Sequence, residues 1–76
     1  MEYETLTVEQ RIGMLKERLL QYEAQHYQQA CEVALATEQG LDNVVEAATK
    51  ARDGFEKAIA WVKSEIEQLE TILSSA

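Results

Sequence analysis

The sequence predicts an all-α fold, a long antiparallel hairpin of two helices, and three observations carry that prediction. The 76 residues include no proline and only three glycines among much Ala, Glu, Gln and Leu, a composition of long helices and not of sheets. Each half of the chain carries an apolar stripe at helical spacing, and the two stripes mirror each other. Gly40 stands between them, the one strong helix-ending residue in the middle of the chain. The prediction is one domain over residues 1–76, with helix 1 at about 7–39, a turn at 40–42 and helix 2 at about 43–73.

Residues 1–6 show no periodicity and are expected to fray. Thr7 followed by Gln10 is a capping box, in which the hydroxyl and the amide satisfy two otherwise orphaned backbone N–H groups. From there the stripe Val8, Ile12, Leu15, Leu19, Tyr22, His26, Gln29, Val33, Ala36 alternates steps of four and three, as the seam of an antiparallel coiled-coil-like pair does. Gly13 is a soft spot within it.

At Gly40 the chain can adopt the left-handed backbone that a Cβ disfavours, which suits the residue just past a helix end. Leu41 then follows as the residue able to cover Ala36. Asp42 or Asn43 is placed to cap the second helix, and Asn43 with Glu46 approximates another capping box.

Helix 2 carries Val45, Ala48, Arg52, Phe55, Ile59, Val62, Ile66, Leu69 and Leu73 with the complementary spacing, and Ser74, Ser75 and Ala76 form a short polar tail. Outward from the turn the stripes pair residue for residue, from Ala36 opposite Val45 to Val8 opposite Leu73. The mirror point falls between Gly40 and Leu41, where the capping residues place it independently. Gln29 faces Arg52 as a polar layer able to fix the register. At about 1.5 Å per residue each helix is expected to be about 45–50 Å long.

A second apolar stripe runs along each helix, Leu20, Ala24, Tyr27, Cys31, Ala34 on the first and Val44, Ala47, Ala51, Gly54, Ala58, Trp61 on the second. A lone hairpin needs one stripe per helix; a four-helix bundle needs two. The expected state is therefore a homodimer, two hairpins forming a four-helix bundle, or a hairpin bound to a helical protein partner. Leu20, Tyr27, Ala51, Gly54, Ala58 and Trp61 are the predicted contact residues, and a ring such as Tyr27 would fit beside Gly54. Right-handed helices running antiparallel bring the two second stripes out on opposite sides of the hairpin plane. Which stripe closes the hairpin and which the dimer stays open. Beside the seam, Glu9/Glu70, Lys16/Lys63 and Glu23/Glu56 pair like with like, while Arg18/Glu65 is attractive; each exposed repulsion costs only a few tenths of a kcal/mol.

Fourteen acidic residues against seven basic ones give a net charge of −7, which repels duplex nucleic acid and anionic membrane on average. The single cysteine, Cys31, excludes an intramolecular disulfide and a thiolate cluster, and a buried thiol is its plainest use. The acidic first residues have no secretory pattern, and no window reaches the ~18 apolar residues of a membrane span. A cytoplasmic protein is expected.

One constellation carries possible chemistry. Glu23 and His26 form a Glu-x-x-His on one face of helix 1, and Glu56 lies across from Glu23. In these three residues the chain resembles ferritin-like proteins, and in size the short helical-hairpin ferritins that complete a metal site by dimerising. That resemblance implies iron or manganese held by Glu23, His26 and Glu56 of two chains. The order departs from the usual one, in which a lone Glu precedes the Glu-x-x-His helix. The plainer reading makes His26 a half-buried seam residue against Phe55, with Glu23 and Glu56 solvated and no cofactor.

Other catalytic chemistry finds no support. His26 and Cys31 share a helix on faces about 140° apart, so they do not meet within one chain. No phosphate loop or paired-cysteine zinc spacing is present. Tyr22, Tyr27, Phe55 and Trp61 fall on the apolar stripes, and the basic residues are interleaved with acids. Nucleic-acid binding, as in the hairpin dimer that regulates plasmid copy number through RNA and that this architecture resembles, is the weaker alternative. The expectation is a small non-enzymatic interaction or assembly module.

Overall fold

The computed structural model describes residues 6–75; the expectations for residues 1–5 and for Ala76 lie outside them. Two helices account for nearly all of the described residues, α1 over Val8–Gln39 and α2 over Asp42–Ser75, packed along their length as an antiparallel hairpin. The molecule measures 54 × 25 × 14 Å. The long dimension is what ~33 helical residues at ~1.5 Å each require, with little added by the turn.

Both ends of α1 form as their residues dictate. The Thr7 hydroxyl accepts from the Gln10 backbone N–H at 3.0 Å, and the Gln10 side-chain oxygen accepts from the Thr7 N–H at 2.9 Å, closing the capping box. At the other end Gly40 has φ 73°, the Leu41 N–H donates to the Ala36 carbonyl at 2.9 Å, and the Gly40 N–H donates to that of Thr37 at 3.2 Å. This pair of bonds is a Schellman motif, and the left-handed residue it requires is a glycine.

The turn is tighter than the sequence indicated. α2 starts at Asp42, and the Val45 N–H already donates to the Leu41 carbonyl at 3.0 Å, so Asp42 and Asn43 are helical residues and the Asn43–Glu46 box does not form. The Asp42 carboxylate still complements the positive end of the helix from its first turn. At the far end the helix takes in Ser74 and Ser75, whose hydroxyl donates back to the Thr71 carbonyl at 3.0 Å.

The first stripe on each helix closes the hairpin. Ile12, Ala36, Ala48, Val62 and Ile66 are buried, Val62 most fully at 1% exposure, and the remaining seam residues other than Leu73 are half-buried. Val8, Leu15, Leu19, Tyr22 and Leu69 pack on the cluster of Ile12, Val62 and Ile66. Leu73 lies opposite Val8, the first residue of α1, where the helix facing it has ended, and it stays exposed.

The Gln29–Arg52 layer is half-buried but not joined: the Arg52 guanidinium turns to Asp53 on its own helix, 3.5 Å away, and its Nε has no hydrogen-bond partner. Nor do the flanking charges pair as expected. Lys16 reaches Glu70 at 3.7 Å, Glu56 reaches His26 at 3.3 Å, and Arg18 folds along its own helix onto Tyr22 instead of bridging to Glu65. Long side chains cover a helical turn in either direction, so they escape the like-charge neighbours that their Cβ positions imply.

Candidate functional site

The hairpin has two broad faces of different chemistry. On one, the helices are bridged by the Lys16–Glu70 ion pair and the His26–Glu56 contact. On the other, Met14, Arg18, Tyr22, Trp61 and Val62 line a shallow depression of about 260 Å³, and a neighbouring one is bounded by Arg11, Met14, Glu65 and Leu69. We refer to these as the acidic face and the apolar face.

The six predicted contact residues divide between them. Leu20 and Tyr27 are about 200° and 180° around α1 from Arg18 at 100° per residue, so they point away from the apolar face. Ala51, Gly54, Ala58 and Trp61 fall within about 80° of one another on α2 and stand on the apolar face with Trp61. Leu20 at 69%, Tyr27 at 70% and Trp61 at 61% are strongly exposed for apolar side chains, while Ala51 and Ala58 are half-buried. Met14 at 58% joins Trp61 and was not singled out from the sequence; its place in the helical phase, one residue before Leu15, is the signal that finds it. A Cβ built on Gly54 meets nothing within 4 Å, so Tyr27 does not fill the space beside it within one hairpin.

Cys31 is exposed, contrary to the buried thiol expected, because its stripe lies outside the seam. Its thiol, one turn from Tyr27, holds the phenol's pKa above its usual value.

Of the three candidate metal ligands, two meet. His26 Nε2 and Glu56 Oε2 are 3.3 Å apart, and the His26 side chain is 29% exposed against 62% for Glu56. Phe55, beside Glu56 in sequence, packs on Tyr22 with ring centroids 6.2 Å apart. Among the described residues, no group of three or more His, Cys, Asp or Glu side chains converges tightly enough to hold a metal ion, so Glu23 does not complete a site within one chain. No helix among the described residues is long and apolar enough to cross a membrane. Comparison with protein-family models, with curated proteins and with solved structures finds no match.

Proposed function

We propose that this chain is a small non-enzymatic interaction or assembly module of the cytoplasm, acting as a helical hairpin that associates with a second copy into a four-helix bundle. The observation that supports this reading is the surface left uncovered. The hairpin exposes 5742 Å², against about 4,700 Å² for a compact monomer of its mass. The excess is comparable to the ~800 Å² that each partner contributes to a standard interface. Large apolar side chains stand in it at helical spacing, as on helices that pack on two neighbours.

The test is the solution mass by light scattering on a sizing column, with the metal content of the same peak. A dimer without metal supports the reading; a monomer would leave the outer stripes to a different helical protein.

A second reading, a di-iron or di-manganese bundle, rests on the His26–Glu56 contact and on Glu23 one turn before His26. It requires iron or manganese at stoichiometric amount in the dimer peak, lost in Glu23→Ala. A nucleic-acid adaptor would require salt-sensitive RNA binding, which the interleaved charges do not favour.

A further inference from the structure

We infer that two copies meet through the apolar face, antiparallel, about a two-fold axis crossing the hairpin at the height of Gln25 and Glu56. This rests on the proposed self-association and specifies how it is built.

The first argument is charge. On the apolar face α2 presents Val44, Ala51, Gly54, Ala58 and Trp61 with Glu65 among them, and Lys50 and Lys57 stand at its outer edge, within about 40° of Trp61. α1 adds Arg11, Arg18 and Glu32 there, so the face carries charges of both signs. On the acidic face α2 alone presents Asp53, Glu56, Glu67 and Glu70 against Lys63. Two copies placed acidic face to acidic face would set like charges against each other; the apolar faces carry no such penalty.

The second argument is self-complementarity about one axis. A two-fold axis perpendicular to the helices lays α1 on the partner's α1 and α2 on the partner's α2, each reversed. On α1 the residues left without an ion partner within the hairpin, among those described, include Arg18 and Glu32. They face each other across the interface if the axis passes midway between them, at Gln25. On α2 the bulky Trp61 comes level with the small Ala51, and Ala58 meets Gly54, if the axis passes midway between each pair, at Glu56. Both pairs on α2 share that midpoint. Gln25 and Glu56 are at the same height in the hairpin, because Glu56 bonds His26, the residue after Gln25, at 3.3 Å. One axis therefore satisfies a charge pair on one helix and two large-to-small or small-to-small contacts on the other.

The third argument is room. The open space beside Gly54 admits a second backbone closely, and a face of 54 by 25 Å is wide enough for a standard interface.

The test is the mass and dissociation constant of the full-length chain by sedimentation, in charge-reversed variants whose helicity is checked by circular dichroism. Arg18→Glu sets Glu against Glu twice and is expected to weaken the dimer more than about tenfold. Arg18→Glu with Glu32→Arg restores the pair in reverse and is expected to recover the dimer. Leu20→Glu, on the acidic face, leaves it unchanged. A dimer that survives Arg18→Glu but is lost in Leu20→Glu overturns the choice of face while leaving self-association intact. Failure of the double variant to recover overturns the antiparallel axis. A wild-type monomer removes self-association itself, and the inference with it.

Discussion

His26 and Glu56 meet across the two helices with Nε2 and Oε2 3.3 Å apart, at mid-length of the hairpin and on its acidic face. Glu56 is 62% exposed, so water screens the contact and little net stability is expected from it. A double-mutant cycle on His26→Ala and Glu56→Ala, measured by urea unfolding, is expected to give a coupling below about 1 kcal/mol that shrinks with added salt. A coupling of several kcal/mol, insensitive to salt, would contradict the solvated pair and revive the metal reading.

Stability instead rests on the seam, and Val62 is its most buried side chain. Val62→Ala removes two methylene equivalents at about 0.8 kcal/mol each and leaves a cavity against Ile12 and Ile66, for a loss of about 2 kcal/mol. Leu73→Ala, at the uncovered end of the same stripe, is expected to cost less than half as much although more atoms are deleted. Urea unfolding at one fixed protein concentration ranks the two. Equal costs would mean that the end of α2 is packed more fully than the hairpin alone provides.

The three glycines separate backbone strain from space. None of them has an atom within 4 Å of where a Cβ would stand, yet only Gly40 has a positive φ. Gly40→Ala is expected to destabilise by about 1–2 kcal/mol through the left-handed backbone. Gly13→Ala, in the second turn of α1, is expected to stabilise by about 0.5–1 kcal/mol by restricting the unfolded chain. Thermal unfolding of the two variants should move in opposite directions from the parent. Destabilisation in Gly13→Ala would show that something approaches that backbone in solution.

The hairpin was legible because its determinants are local and periodic. The Thr7–Gln10 box and Gly40 each act within four residues, and the seam residues keep a fixed helical phase, so their positions follow from spacing alone. The charged flanks were not legible in the same way. Phase locates a Cβ to within a turn, but Lys16 reaches Glu70 and Arg18 lies on Tyr22 because their chains span that turn. The start of α2 was missed by one residue because Leu41 has no side-chain cap to mark it, and the backbone of the Schellman turn does the capping. The candidate contact residues were identified by phase too, but their division between two faces depends on which helix lies beside them. The depression shared by Met14, Arg18 and Trp61 fixes that division.

Tyr27 and Cys31 offer a probe of the acidic face. The thiol one turn away raises the phenol's pKa above 10.0, favouring the neutral form in the folded chain. Any stability this contributes is present below the pKa of the unfolded phenol, near 10, and is lost as pH rises through the higher folded value. Cys31→Ala removes the cause, so the tyrosinate absorbance of the variant is expected to develop at lower pH than that of the parent. The difference between the two alkaline titrations reports Tyr27, since the substitution leaves every tyrosine in place. Coincident curves would mean that the phenol and the thiol do not interact in solution. A much larger upward shift in the dimer than in the monomeric Arg18→Glu variant would mean that association buries Tyr27, and would count against the apolar face as the dimer interface.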